Sequence, residues 1–340
     1  MPTRPKAAKL ILINIFLLIP VLIGCEGVLR LLDPARRLPF NGIRDGRGYT
    51  WGHPVTMNRL RFRERDIVHP KPKGVTRVMV LGDSLTFGNG LATEERYTDL
   101  LELRLRDRFL KKKIEVLNFG VESASTVFES GVLSKGLAWV DPDLIIIGFC
   151  LNDPQPGQQG DSPEKLFFDR HFGVPLRRVE VLSRKIFLPH VGTAFRKGMY
   201  GLAEAAGFFP PWMKVLDQAY RKESAEWKEF EKALASIKEM SDKKKLPPPV
   251  FIVLNQGVTL NRPTDYRNPD KNLRHFLTWY RQAEEAAARL GFETVNVEDE
   301  IRSQLPNRIL SVNPADNHPS AELNQLYAKK LAEKLADKLK

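Results

Sequence analysis

Short apolar runs alternate with amphipathic stretches along most of the chain. Residues 78–81 and 144–150 are continuous apolar runs, a pattern typical of strands that are buried on both faces of a sheet. Further strands are predicted at 114–118, 250–254 and 293–297. Apolar residues recur at every fourth position of two predicted helices: Tyr97, Leu101, Leu105 and Phe109, then Leu323, Tyr327, Leu331 and Leu335. The alternation predicts a three-layer α/β/α fold with a parallel sheet of about five strands joined by right-handed crossovers.

Two regions lack this alternation. Residues 34–75 are rich in Arg, Pro and Gly and are interpreted as a lead segment, and residues 154–215 are interpreted as an insertion beside the sheet. A long charged helix is predicted after the insertion, over residues 217–242. The chain is therefore divided into an N-terminal segment (1–33), the lead segment and one domain (76–340) that contains the insertion.

The N-terminal segment is apolar after a basic start. Residues 10–32 carry few polar side chains and follow Arg4, Lys6 and Lys9. This pattern predicts an uncleaved N-terminal transmembrane helix that anchors the protein, with the remaining chain outside the cytoplasm, either periplasmic or extracellular. A lipoprotein with Cys25 as the lipidated residue and a cleaved signal peptide remain alternatives. Each of the three exports the rest of the chain.

Composition narrows the classes of partner and cofactor. The chain has 340 residues, of which 42% are hydrophobic and 28% charged, a globular composition. Its net charge of +12 comes with no nucleic-acid-binding motif, so we predict no nucleic-acid partner. A basic surface favours anionic polysaccharide or lipid head groups. The cysteines Cys25 and Cys150 indicate no disulfide framework, and no ligand spacing predicts a metal or other cofactor.

Candidate chemistry lies immediately after the predicted strands. The tetrapeptide GDSL at 82–85 ends the first apolar run, and Ser84 by itself is either a nucleophile or a hydroxyl that caps the next turn. Three more polar stretches follow strands in the same way: NFGVESAST at 118–126, GFCLNDPQPG at 148–157 and, nearer the C-terminus, NPADNHPSA at 313–321. A serine nucleophile needs a base to take its proton, and the imidazole of His318 titrates in the right range.

Together these four stretches resemble the conserved blocks of the SGNH (GDSL) hydrolase family, and the resemblance extends over residues 76–340. NRLRFRERD at 58–66 is similar to a stretch that precedes the first strand in membrane-anchored bacterial members, with Arg61 in place of a glycine. The resemblance implies a flavodoxin-like sheet and a serine esterase that forms an acyl-enzyme.

The resemblance also implies a role for each matching residue. Ser84 is the expected nucleophile, His318 the base and Asp316 the carboxylate that orients the base. The expected oxyanion hole comprises the backbone N–H groups of Ser84 and Ser123 and the side-chain amide of Asn152. Three departures from the family pattern are visible: Ser123 and Cys150 stand where the family has glycine, and Asp316 precedes His318 by two positions rather than three.

The substrate class expected from this resemblance and from export is an ester, such as an O-acetyl group, on a cell-envelope or exported carbohydrate. Two alternatives remain open at this stage. One is O-acyl transfer to a glycan by the same residues, and the other is a non-catalytic polysaccharide-binding or assembly protein on the same fold. The substrate is expected to be an ester-bearing small molecule or glycan, and the sequence does not identify a protein partner.

Overall fold

The computed structural model describes residues 4–32, 42–155, 182, 188–208, 210–255, 265–313 and 316–339. The chain divides into two compact units. One comprises residues 1–40 and 162–211, and the other comprises residues 41–161 and 212–340.

Ten helices are described here: α1 (Arg4–Leu32), α2 (Ser84–Phe87), α3 (Tyr97–Arg108), α4 (Thr126–Val140), α5 (Pro189–Ala205), α6 (Trp212–Ala219), α7 (Ala225–Lys243), α8 (Lys271–Arg289), α9 (Glu298–Gln304) and α10 (Ala321–Leu335). A short 3-10 helix at Thr93–Glu95 precedes α3. The strands are β1 (Gly42–Arg44), β2 (Arg47–Thr50), β3 (His53–Thr56), β4 (Val75–Gly82), β5 (Lys113–Gly120), β6 (Leu144–Phe149), β7 (Val250–Val253), β8 (Glu293–Val295), β9 (Ser311–Asn313) and β10 (Asp316–Pro319).

A five-stranded parallel sheet forms the centre of the larger unit, with strand order β5-β4-β6-β7-β8. Every residue of β6 and β7 is buried, which confirms the prediction that continuous apolar runs form strands covered on both faces. The helices that follow the strands pack in two groups: α3 contacts α10, whereas α4 and α8 both contact α7. The predicted α/β fold with about five parallel strands is therefore confirmed.

The strand order reverses direction at β4, because β5 lies on one side of it and β6 on the other. In open α/β sheets, ligands bind outside the carboxyl ends of the strands at such a switch point. Ser84 follows the end of β4 after Asp83, and Asn152 follows β6, so these two candidate site residues lie on either side of the switch point.

Three glycines make room for α2 at this end of the sheet. Gly82, Gly120 and Gly148 lie in register on the adjacent strands β4, β5 and β6, respectively. A Cβ atom on Gly120 would lie 2.3 Å from the backbone nitrogen of Phe87, and one on Gly82 would lie 2.0 Å from Oγ1 of Thr86. Because these distances are far below van der Waals contact, glycine at the strand ends is what allows α2 to pack across them.

The predicted helical stripes are buried as expected. Tyr97, Leu101 and Leu105 on α3 and Leu323 and Leu331 on α10 are completely buried. The two helices pack against each other.

Two predictions of local structure differ from the structure. The single helix predicted over 217–242 is two helices, α6 and α7, and Ser224 ends the break by accepting a hydrogen bond from Trp227 N–H at 3.0 Å. The lead segment, in which no period was visible, contains the antiparallel sheet β1-β2-β3. Most of the predicted insertion lies outside the described residues.

The smaller unit contains α1 and α5, which pack together. Glu26 of α1 is 4% exposed, and it accepts hydrogen bonds from Val191 N–H at 3.0 Å and from Arg30 Nε at 2.9 Å. Glu26 also contacts Nδ1 of His190 at 2.7 Å. In the part of the chain that is described, no helix combines the length and apolar character needed to cross a membrane. The predicted transmembrane helix is therefore not confirmed.

Candidate active site

Ser84 is the first residue of α2, at the carboxyl end of β4. Asp83 is its N-cap: Oδ1 accepts a hydrogen bond from Leu85 N–H at 2.8 Å, and Oδ2 accepts one from the Ser84 hydroxyl at 3.2 Å. Asp83 is 1% exposed, and burial raises the pKa of its carboxyl above the ordinary value. The cap explains why the chain turns sharply here and leaves the serine hydroxyl at the edge of the sheet.

His318 and Asp316 lie on β10, which pairs with β9 in a short antiparallel hairpin. Oδ1 of Asp316 accepts a hydrogen bond from His318 N–H at 3.0 Å and is also bonded to Nδ1 of His318. Burial alone would lower the pKa of His318, but the charge of Asp316 and this hydrogen bond outweigh it and raise that pKa above the ordinary value. The same pairing lowers the pKa of Asp316 against the opposing effect of burial. The structure thus joins the two residues despite their short spacing.

A close contact with the loop after α2 positions the β9–β10 hairpin. Gly90 has φ +82° and is buried, and a Cβ atom there would lie 2.6 Å from Cγ2 of Val312 on β9. The hairpin can therefore approach only because residue 90 has no side chain. It brings β10 into contact with α2. Within the described residues, the Ser84 hydroxyl donates to Asp83 and makes no hydrogen bond to His318, an arrangement compatible with contacts that tighten when substrate binds.

The three expected oxyanion donors follow the adjacent strands β4, β5 and β6. Among the described residues, the backbone N–H groups of Ser84 and Ser123 donate to no acceptor, so both remain available. Ser123 has φ +60°, which is the left-handed conformation. This conformation suits the glycine that the family has here and is strained for a serine. Asn152 is half-buried, and its Oδ1 accepts a hydrogen bond from the Cys150 thiol at 2.7 Å. No described residue accepts a hydrogen bond from its Nδ2, which leaves the donor end of the amide available.

Two more carboxyl groups are buried behind this site. Asp153 is completely buried, and its Oδ2 accepts hydrogen bonds from Cys150 N–H at 3.2 Å and from the Thr126 hydroxyl at 3.3 Å. Glu129 is 1% exposed, and neither of its oxygens has a partner among the described residues. Burial and, after it, the neighbouring carboxyl groups raise the pKa of both residues well above the ordinary value. In the described ranges, no group of three or more His, Cys, Asp or Glu side chains could hold a metal ion.

Residues of the lead segment contact the loop after α2 and the strand β5, next to the site. Arg63 is buried and donates to the carbonyl oxygens of Gly88 at 2.7 Å and Leu91 at 2.8 Å, in the loop after α2. Glu64 accepts a hydrogen bond from Asn118 N–H on β5 at 2.8 Å. The resemblance at 58–66 was the available signal for these contacts.

Trp51, at the tip of the β2–β3 hairpin, donates its indole N–H to Oδ2 of Asp316 at 2.5 Å. Nothing in the sequence indicated this contact.

Several solved structures resemble this chain at low sequence identity, whereas a search of curated proteins gave no match. An acetylxylan esterase from Geobacillus stearothermophilus is 13% identical, with 78% of this chain and 96% of that chain covered and a TM-score of 0.42. A second acetyl xylan esterase is 12% identical, with 76% and 99% covered and a TM-score of 0.44. A putative arylesterase from Agrobacterium tumefaciens is 15% identical, with 77% and 99% covered and a TM-score of 0.41.

The family profile covers most of the sheet and every candidate site residue. The profile of the GDSL-like Lipase/Acylhydrolase family matches residues 80–326. That range begins within β4, just before Ser84, and ends within α10, after His318. The chain therefore belongs to the GDSL-like lipase/acylhydrolase family and is an ester hydrolase.

Proposed function

We propose that the chain is a serine esterase that acts through an acyl-enzyme and removes O-acetyl groups from a cell-envelope or exported carbohydrate. The observation that carries the reaction type is the set of available donors around Ser84, next to a His318–Asp316 pair. Ser84, Ser123 and Asn152 follow three adjacent strands, and each has a donor that no described residue uses.

We infer the following reaction from these positions. Because Nδ1 of His318 is bonded to Asp316, its Nε2 is the atom left to take the proton from the Ser84 hydroxyl. The Ser84 oxygen attacks the ester carbonyl carbon, and the oxyanion accepts hydrogen bonds from the available donors. His318 then returns the proton to the departing alcohol oxygen as the ester C–O bond breaks. A water molecule attacks the acyl-enzyme in the same way, releases the acid and restores Ser84.

The test of this assignment is covalent and kinetic. We expect a fluorophosphonate probe to label the full-length wild type at Ser84, and we expect 4-nitrophenyl acetate to be hydrolysed. Ser84→Ala should abolish both, while Ser303→Ala, at an exposed serine on α9 outside the proposed site, is the matched serine control and should keep labelling. Labelling of the Ser84→Ala variant at the wild-type rate would refute the assignment. Acetyl transfer to an added sugar with no free acetate released would show acyl transfer in place of hydrolysis.

The proposal of a small acyl group rests on the packing around the site. Leu85 and Phe87 of α2 and Leu151, next to Asn152, are each 3% exposed or less. Such close packing suits an acetyl group better than a long acyl chain. We expect kcat/KM to fall steeply from acetyl to hexanoyl esters of 4-nitrophenol, and equal values for the two would contradict this choice.

The charge near His318 supports an uncharged sugar. Burial lowers the pKa of His318, but Asp316 outweighs burial and raises that pKa, and the nearby carboxyl groups of Asp83 and Glu122 raise it further. This local charge is opposite to the net charge of +12, from which an anionic chain was expected. Acetylated neutral oligosaccharides should therefore be hydrolysed faster than acetylated oligouronates of equal length, and the reverse preference would contradict the proposal.

The location remains a proposal supported by the N-terminal sequence alone. Arg4, Lys6 and Lys9 precede an apolar stretch, as in segments that direct export. The catalytic unit is proposed to lie outside the cytoplasm, with residues 1–33 as its membrane anchor or export segment. A reporter fused after Lys340 tests this: activity of a periplasmic reporter is expected, and activity of a cytoplasmic reporter alone would refute export.

A further inference from the structure

The tip of the β2–β3 hairpin reaches the site from the lead segment. Trp51 and Gly52 connect the two strands, with φ values of +45° and +84°. Positive φ at both central residues is the geometry of a tight hairpin turn, and it is unfavourable for a residue as large as Trp51. A bulky side chain in this conformation must be held by its surroundings.

Thr50 holds the hairpin against the loop after α2. It is 4% exposed, and its hydroxyl oxygen accepts a hydrogen bond from Gly90 N–H at 2.8 Å. The same hydroxyl lies 3.4 Å from Oδ1 of Asn89. The adjacent indole of Trp51 is therefore held relative to the loop that follows the helical turn of Ser84, and not only relative to its own strands.

The indole completes the hydrogen bonding of the Asp316 carboxylate. Oδ1 of Asp316 accepts from the backbone and the ring of His318, and Oδ2 accepts from Nε1 of Trp51. An indole N–H can only donate, so this contact favours an ionised acceptor oxygen at that position. With a fixed donor on each oxygen, the carboxylate plane cannot rotate without breaking a hydrogen bond. The plane of the carboxylate in turn determines the orientation of the imidazole.

We propose that Trp51 is a positioning residue of this esterase site, which holds Asp316 in the orientation that directs His318 toward Ser84. The inference rests on the proposed serine-esterase function. It gives the lead segment a part in catalysis through a residue that lies 265 positions before Asp316.

The test compares Trp51→Phe with Trp139→Phe in the full-length protein. Trp51→Phe keeps an aromatic ring but removes the N–H donor. Trp139 is partly buried and stacks on His69, so its replacement is a matched loss of one indole elsewhere. Because outer hydrogen-bond partners of functional side chains contribute about 10- to 100-fold, we expect kcat on 4-nitrophenyl acetate to fall about tenfold in Trp51→Phe. KM should change less than about twofold, because the effect is on the reacting groups rather than on binding.

A double-mutant cycle separates positioning from a general structural effect. In an Asp316→Asn background, Trp51→Phe should cause no further loss of kcat, because the orientation that it protects is already lost. Unchanged kcat in Trp51→Phe, an equal loss in Trp139→Phe, or full multiplication of the two losses in the double variant would each overturn the inference while the wild type stays active. A wild type with neither turnover nor fluorophosphonate labelling would overturn the proposed function and this inference together.

Discussion

The approach of the β9–β10 hairpin to the loop after α2 predicts a sharp effect of Gly90→Ala. Residue 90 has φ +82°, and the new Cβ atom would lie 2.6 Å from Cγ2 and 2.8 Å from Cβ of Val312. The left-handed conformation costs an alanine about 1–2 kcal/mol, and overpacking at a buried contact adds about 1–3 kcal/mol. Reduced entropy of the unfolded chain offsets about 0.4–1 kcal/mol. The net loss in the free energy of unfolding is therefore about 1–5 kcal/mol.

Gly74→Ala is the matched control for this variant. Gly74 has nearly the same conformation, with φ +76°, but a Cβ atom added there would meet no described neighbour within 4 Å. The Gly74→Ala variant therefore has the conformational cost without the clash, and it should lose about 1 kcal/mol of unfolding free energy. The difference between the two variants isolates the contact with Val312.

Urea unfolding measures the loss of stability, and esterase activity measures the displacement of His318. Val312 lies on β9, and its partner strand β10 carries His318, so a clash that displaces the hairpin also displaces the base. Gly90→Ala should lose kcat even at low temperature, where it remains folded, and Gly74→Ala should keep the wild-type value. Equal destabilisation by the two variants, or a folded Gly90→Ala variant with full kcat, would refute the reasoning.

Three further predictions concern the carboxyl groups and the amide of the site. Asp316→Asn should lower kcat by roughly three to four orders of magnitude, and the acid limb of kcat/KM should move to lower pH, because burial then acts on the pKa of His318 without the opposing carboxylate. An unmoved limb would contradict that pairing. Asn152→Ala should lower kcat by about two to three orders of magnitude with little change in KM, and a raised KM at normal kcat would instead indicate ground-state binding. Because the folded-state pKa of Glu129 is raised, its stabilising contribution is complete below the unfolded pKa of about 4.3 and is lost as pH rises through the folded pKa. The stability of Glu129→Gln relative to wild type should therefore increase as pH rises above about 4 in urea unfolding, and parallel curves would contradict the raised pKa of Glu129.

The sheet was predictable because burial on both faces leaves a direct mark on the sequence. Strands β6 and β7 are continuous apolar runs, and the stripe on α3 repeats with the helical period. The positions of Ser84 and Asn152 were predictable for a related reason, since the carboxyl ends of parallel strands share one edge of the sheet. The break between α6 and α7 was missed because it depends on one local hydrogen bond to Ser224, which the surrounding apolar period does not reveal.

The contacts of the lead segment could not be predicted in the same way. Trp51 and Asp316 are far apart in the sequence, and neither lies on a periodic element that would place it near the other. The clearance at Gly90 likewise depends on a strand more than two hundred residues away, and it is visible only when Val312 is in place. A single glycine or tryptophan in a sequence does not indicate which distant residue it contacts.

The departures from the family pattern help to decide whether this site is catalytic or whether the fold only binds polysaccharide. Cys150 replaces a glycine, and its thiol donates a hydrogen bond to Oδ1 of Asn152. This contact orients the Asn152 amide and leaves its Nδ2 donor available. The shortened spacing of Asp316 still pairs the carboxylate with His318, and Trp51 occupies the other carboxylate oxygen. Ser123 keeps the left-handed conformation at an energetic cost and leaves its N–H available. A fold retained only to bind polysaccharide would gain nothing from holding Ser123 in this conformation, since relaxing it would stabilise the chain. The retained strain therefore favours a working oxyanion hole, and Ser123→Gly should stabilise the protein while preserving kcat.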